Sequence, residues 1–164
     1  MMVYEGSELI GFLFKAFALV VITGMIAIPL VPQRIKPVIS IISVSLAAFV
    51  TSFLALRIFS GGSIEYIIYG GIFFGDIPLR VDPLSAWFIL IINFTSVTGV
   101  FYGTGYLKAY SARSAEISFH WILYVLFYTS MLLVCMIQHS IAFITAWEIM
   151  SLSSLFLVLF DYKN

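Results

Sequence analysis

The chain has 164 residues, of which 62% are hydrophobic and 10% are charged, and its mean hydropathy is +1.12. Soluble domains average about 45–50% apolar and about 25% charged residues, so this composition excludes a soluble domain. The formal net charge is zero and the sequence has no basic tract, which leaves nucleic-acid binding without electrostatic support.

Five stretches are apolar over the roughly 20 residues that a helix needs to cross a bilayer. They cover residues of about 8–30, 37–58, 83–106, 118–138 and 140–160. The sequence therefore predicts an all-α integral membrane protein with five transmembrane helices, in which residues 1–164 form a single membrane domain.

The connections between these stretches agree with this count. The segment 29–37, "PLVPQRIKP", has three prolines and two cations and predicts a tight exposed loop. Only "QHS" (138–140) separates the fourth and fifth spans, which predicts an antiparallel pair of neighbouring helices. The segment 61–82 is interrupted by glycine and then alternates with a period of two. It predicts a small β-hairpin over about 64–82 that turns near 70–76, outside the hydrocarbon, where open strand edges are not tolerated.

The Lys and Arg residues of the short loops predict the orientation. Two cations belong to the side of the amino terminus and the hairpin, and five belong to the other side, which is therefore cytoplasmic. The first group is Arg57 and Arg80, and the second is Arg34, Lys36, Lys108, Arg113 and Lys163. We expect an inner (cytoplasmic) cell membrane protein with the amino terminus and hairpin outside and the carboxyl terminus in the cytoplasm.

Few polar side chains interrupt the first four spans. Lys15 lies about two turns into the first span and can extend its ammonium to the outer interface or pair with a buried acid. Asn93 in the third span predicts a hydrogen bond between helices, and the Ser and Thr residues of the second span suit close helix packing. Glu116 precedes His120 by four residues, which predicts a surface pair along one helix turn.

Glu148 lies near the middle of the fifth span, where an ionisable side chain costs roughly 2.5–3.5 kcal/mol on insertion scales. Thr145 and Ser151, three residues to either side, share its helix face and could support the carboxylate. Desolvation raises the pKa of a carboxyl and a nearby cation lowers it. A carboxyl whose pKa lies between these limits can load and release a proton. His139, in the turn before this helix, could feed protons to such a path. The alternative is a protonated Glu148 that hydrogen-bonds a neighbouring helix.

No Cys/His set has metal-ligand spacing, and no glycine-rich loop has the phosphate-binding pattern. The lone Cys135 cannot form an intrachain disulfide. Catalytic residues, bound cofactors and metals are therefore not expected in this chain.

Two motifs carry a resemblance to a known family. The segment "PLRVDPLSAWFILIINFTSVTGVFYGTGYL" (78–107) contains an Asp-x-Leu-Ser-Ala signature with Asp82 and Ser85. The segment "FITAWEIMSLSSLFLV" (143–158) contains a Trp-Glu pattern with Trp147 and Glu148. Together they resemble the antiporter-like subunits of respiratory complex I, membrane-bound energy-converting hydrogenases of the formate hydrogenlyase type, and Mrp-type cation/proton antiporters. The hydrogenase branch is the most similar, and the match covers the amino-terminal five-helix portion of such a subunit.

The resemblance implies a non-catalytic membrane subunit of a redox-driven complex, NADH dehydrogenase-like or energy-converting hydrogenase-like, that pumps protons or sodium ions. It implies that Glu148 is a proton-relay residue that pairs with a lysine on a broken helix later in the family's fold. Partners would be other membrane subunits, among them a chain that supplies further helices and this lysine, together with lipids and a peripheral redox arm. Iron–sulfur clusters and nickel–iron or flavin groups would belong to those partners.

The five helices correspond to part of the first of the two inverted repeats in this family, so the broken helices that bind ions are not among them. Three explanations for a chain that matches only part of the first repeat stay open: a split gene product, a shortened paralogue or a truncated product. The functional alternatives are a structural or assembly subunit without transport and a subunit of a stand-alone Mrp-type antiporter.

Overall fold

The computed structural model describes residues 4–59, 62–70, 75–107 and 114–160, and this part of the chain contains five long helices and one two-stranded antiparallel sheet. The helices are α1 (Tyr4–Leu30), α2 (Lys36–Phe59), α3 (Pro83–Tyr106), α4 (Ser114–Met136) and α5 (Ser140–Leu159), and the strands are β1 (Ile64–Tyr69) and β2 (Asp76–Val81). All five helices are long and apolar enough to cross a membrane. The expected fold class, five such helices with a hairpin between the second and third, is confirmed.

The helices start and end near the expected positions, with two larger differences. Helix α1 begins at Tyr4 rather than near residue 8, and α4 begins at Ser114 rather than near residue 118. Hydropathy marks only the apolar part of a helix, whereas backbone hydrogen bonding continues into its polar first turn. Residues 108–113, between α3 and α4, and residues 71–74, within the predicted turn of the hairpin at 70–76, lie outside the described residues.

Helix α4 is the centre of the bundle. It packs against α1, α2, α3 and α5 and also contacts β2. Five of its buried side chains recur at intervals of three and four residues and lie along one helix face. They are Trp121, Val125, Tyr128, Leu132 and Met136. Helix α5 follows α4 after a short turn and packs beside it, as the sequence predicted for an antiparallel pair.

The hairpin closes one end of the bundle. Its strands pair from Ile64 with Val81 to Tyr69 with Asp76, and the Gly70 N–H donates to the Gly75 carbonyl at the turn. The alternation predicted for the second strand is confirmed, because Leu79 and Val81 are buried and Arg80 between them is exposed. The outer edge of β2 is partly covered, since the Gln138 N–H donates to the Pro78 carbonyl over 2.9 Å.

A buried polar cluster joins α2, α3 and α4 in the middle of the bundle. The Asn93 amide nitrogen donates to Thr51 Oγ1 (2.9 Å) and Ser52 Oγ (2.8 Å) on α2. The Asn93 carbonyl oxygen accepts a 2.8 Å hydrogen bond from the Tyr128 hydroxyl on α4. The predicted hydrogen bond between helices at Asn93 is confirmed, and it reaches two helices rather than one.

Candidate functional site

The candidate site is on α5, the helix that carries Glu148. Its first turn is held by His139, whose Nδ1 accepts a 3.3 Å hydrogen bond from the Ala142 N–H. This contact satisfies one of the free N–H groups at the helix start. The structure therefore gives His139 a capping role at the end of the bundle that carries the hairpin.

Helix α5 packs mainly on α4 and leaves much of its surface open. Within it only Ala146 and Ser153 are buried, and both face the bundle. By contrast, nine residues of α4 are buried between residues 116 and 136. Most of the circumference of α5 is therefore available to lipid or to further protein.

Glu148 lies on this open surface. It is the ninth of the 20 residues of α5, so its carboxylate is close to the middle of the helix, and its side chain is exposed in the isolated chain. Within the described residues the carboxylate has no hydrogen-bond partner. A carboxylate at this depth must meet something other than acyl chains to be stable, which makes this face the candidate functional surface.

The two hydroxyl residues beside Glu148 are exposed as well. The Thr145 hydroxyl donates to the Ile141 carbonyl of its own helix at 2.8 Å. No hydrogen bond joins Thr145 or Ser151 to Glu148 in the described part of the chain. Their oxygen atoms nevertheless extend the polar stripe over adjacent turns of the same helix.

Lys15 is not brought to Glu148. It is exposed on α1, and neither it nor Glu148 forms an ion pair within the described residues. Helix α1 packs against α2 and α4, whereas α5 packs against α4. Glu148 and Lys15 therefore lie on different outer surfaces of the bundle, and they do not form an ion pair with each other.

The signature residues of the first motif form a helix cap. Asp82 is the N-cap of α3, and its carboxylate accepts a 2.7 Å hydrogen bond from the Ser85 N–H. This hydrogen bond lowers the pKa of Asp82 below 3.8. Pro83 occupies the first helical position, where its missing N–H costs nothing.

In the second motif, Trp147 is 54% exposed on α5 and its ring lies 6.3 Å from that of Phe143.

The expected surface pair of Glu116 and His120 is wrong. The His120 ring packs edge-on against Phe160 (4.7 Å between centroids) and against Trp121, and its Nδ1 is buried with no hydrogen-bond partner among the described residues. The reason is that α5 ends beside the first turns of α4, so this face of α4 is covered. The intrahelical spacing of the two residues could not reveal that contact.

The sequence also gave no sign that Lys36 is buried. The sequence places it among the loop cations, but it begins α2 with 3% of its surface exposed, and its ammonium donates to Ser118 Oγ at 2.6 Å. Ser118 is 82 residues away in the chain.

In the described residues, no group of three His, Cys, Asp or Glu side chains could hold a metal ion.

Comparison with known proteins gives two kinds of relative. The chain is 34% identical over 89 residues to a protein of Staphylococcus aureus (strain MRSA252) named as antiporter subunit mnhA2. It is 34% identical over 86 residues to hydrogenase-4 component B of Escherichia coli (strain K12). These alignments cover 54% and 52% of this chain but only 11% and 12% of the relatives, which are much longer proteins. No family model matches. Over about half its length, the chain is therefore similar to an antiporter subunit and to a component of hydrogenase-4, both of them much longer proteins.

Proposed function

We propose that this chain is a membrane subunit of a redox-driven complex that pumps protons or sodium ions, and that Glu148 relays protons within it. The observation that carries the proposal is the position of Glu148, in the middle of α5 and on the face that the rest of the chain leaves open.

Energetics favours a protein or water neighbour for this carboxylate. Exposure to acyl chains costs roughly 2.5–3.5 kcal/mol at the centre of a membrane helix, and ionisable groups at this depth generally face protein or a water-filled cavity. Since α5 packs mainly on α4 and Glu148 is exposed among the described residues, the neighbour of Glu148 would come from another part of the assembly. A lysine from an adjacent helix is the partner that the family resemblance implies.

The proposed mechanism is electrostatic. Redox chemistry in partner subunits would change the charge near the membrane arm, and the opposing charge would alternately favour the ionised and the protonated carboxyl. Glu148 would thereby accept a proton from one side and release it to the other. The similarity to hydrogenase-4 component B supports a redox-linked complex.

The test is Glu148→Gln in the assembled complex, because glutamine keeps the size and hydrogen bonding of the side chain but cannot ionise. Proton uptake into inverted membrane vesicles, followed by a pH-sensitive dye, should fall at least about tenfold, as expected when a proton-transfer group is removed. Glu65→Gln is the matched control, since Glu65 is an exposed carboxylate on the hairpin. Pumping by Glu148→Gln at the parental rate, with the subunit present, would remove the relay role and favour a structural subunit.

The similarity to mnhA2 favours a second candidate, a subunit of a stand-alone cation/proton antiporter. The two candidates differ in their partners. Affinity purification of the chain from native membranes should recover iron–sulfur or nickel proteins if the complex is redox-driven. Their absence, together with sodium-dependent proton exchange in the same membranes, would favour the antiporter.

A further inference from the structure

A cavity of about 770 Å³ lies at the end of the bundle opposite the hairpin. The loop between α1 and α2, the first turns of α2, the last turn of α3 and the start of α4 surround it. This volume is in the range of small-molecule and cofactor pockets, which is about 300–1,000 Å³. Because the cavity lies at the ends of the spans, it is at the depth of the lipid headgroups in a bilayer.

The lining of this cavity is amphipathic. The α2 side contributes Val38 and Ile41, which are apolar and partly exposed. Arg34 contributes an exposed guanidinium from the loop. The described lining residues include no carboxylate. An occupant that matches these features has an anionic head and an apolar tail.

Trp121 adds an unused hydrogen-bond donor. It is fully buried and contributes to the cavity wall, and its Nε1 has no hydrogen-bond partner among the described residues. Buried indole N–H groups normally have an acceptor. A phosphate or ester oxygen in the cavity could supply one.

We propose that this cavity binds an anionic phospholipid, with its phosphate against Arg34 and the upper part of one acyl chain along Val38 and Ile41. Guanidinium groups pair strongly with phosphate. Basic pockets between membrane helices are also the usual sites for anionic lipid heads. This inference does not depend on the role of Glu148, which lies on a different helix, near the middle of α5.

The test uses tryptophan quenching in reconstituted vesicles. The chain has three tryptophans, so Trp87→Phe with Trp147→Phe leaves Trp121 as the single tryptophan, which is excited selectively. A small fraction of brominated phosphatidylglycerol in a phosphatidylcholine bilayer should quench Trp121 about fivefold more effectively than the same fraction of brominated phosphatidylcholine, the preference expected for one cation at the headgroup level.

Two variants identify the headgroup contact. Arg34→Gln should abolish the preference for phosphatidylglycerol. Arg57→Gln is the matched control and should leave the preference unchanged, since Arg57 is an exposed cation in the last turn of α2, at the opposite end of the bundle. Both residues are exposed, so neither change should unfold the protein, which helical circular dichroism would verify.

Three results would overturn the proposal. Equal quenching by the two lipids would mean that the cavity does not select an anionic head. An equal loss in both arginine variants would mean that general surface charge, and not the cavity, attracts the lipid. Loss of the preference on addition of inorganic phosphate would identify a free-anion site instead of a lipid site.

Discussion

At the scale of single residues, Asn93 shows how a polar side chain is tolerated in a membrane helix. Its amide donates to two hydroxyls on α2 and its carbonyl oxygen accepts from Tyr128 on α4, so both polar groups are paired. Unpaired polar groups cost several kcal/mol in a medium without water, and pairing removes this penalty. Asn93 therefore joins three helices by hydrogen bonds that the surrounding lipid cannot replace.

The Asn93 cluster yields a prediction about stability. A double-mutant cycle of Asn93→Ala and Tyr128→Phe should give a coupling free energy of roughly 0.6 kcal/mol and at most about 1.7 kcal/mol, the average and the maximum measured for hydrogen bonds between membrane helices. Reversible unfolding in mixed detergent micelles, followed by circular dichroism, measures it. Thr98→Val is the control, because the Thr98 hydroxyl only donates to Phe94 of its own helix. A coupling energy of zero would contradict an energetic role for this hydrogen bond.

At the scale of the elements, side-chain caps define two of the helix starts at the hairpin end. Asp82 caps α3 and His139 caps α5. The Asp82 cap follows β2 directly, so the same residue ends the hairpin and begins a transmembrane helix. Asp82, the aspartate of the first motif, thus has a structural role that the hydrogen bond to Ser85 explains.

The Asp82 cap predicts a pH-dependent stability. Folding lowers the pKa of Asp82 below 3.8, so the ionised cap stabilises the protein above this pH, and the stabilisation is lost as the pH falls through the lower pKa of the folded state. Asp82→Ala should reduce the free energy of unfolding at neutral pH by about 1 kcal/mol. Asp82→Asn should preserve the cap and remove its acid dependence. Thermal unfolding between neutral and acidic pH measures both, and an Asp82→Asn protein with the parental acid dependence would show that another group is responsible.

At the scale of the whole molecule, the fold has two chemically different ends. The hairpin and the turn between α4 and α5 form one end, and the loop between α1 and α2 with buried Lys36 forms the other. Between them, many large apolar side chains are exposed on the helices, which suits contact with lipid or further membrane helices. The excess of loop cations at the end opposite the hairpin predicts that this end is cytoplasmic.

Cysteine labelling tests this orientation. In a Cys135→Ser background, a membrane-impermeant maleimide added to intact cells should label Ser63→Cys, next to the hairpin, and not Ile35→Cys, in the loop between α1 and α2. Both positions are exposed at the surface, so accessibility depends on the side of the membrane. Permeabilised cells, in which both variants should react, provide the control. The opposite labelling pattern would reverse the predicted topology.

Much of the architecture follows from local sequence properties. Hydropathy identified the five spans because membrane-crossing length depends on consecutive apolar residues. A period of two located β2, since alternate side chains of a strand face opposite sides. The type of residue also predicted that Asn93 bonds a neighbouring helix, because a lone amide in lipid needs a partner. The relay role of Glu148 stays a prediction, and its place in the middle of α5 follows from the sequence alone.

Apart from the neighbouring pair of α4 and α5, only the tertiary structure decided which helices meet. It made α4 the central helix, brought Tyr128 to Asn93, buried Lys36 against Ser118 and placed His120 beneath Phe160. It also put Glu148 on the open side of α5. Membrane helices are apolar on nearly every face, so their hydropathy does not distinguish a face that packs on protein from one that contacts lipid. Helix order and side-chain partners depend instead on contacts between residues far apart in the chain, and these exist only once the helices have packed.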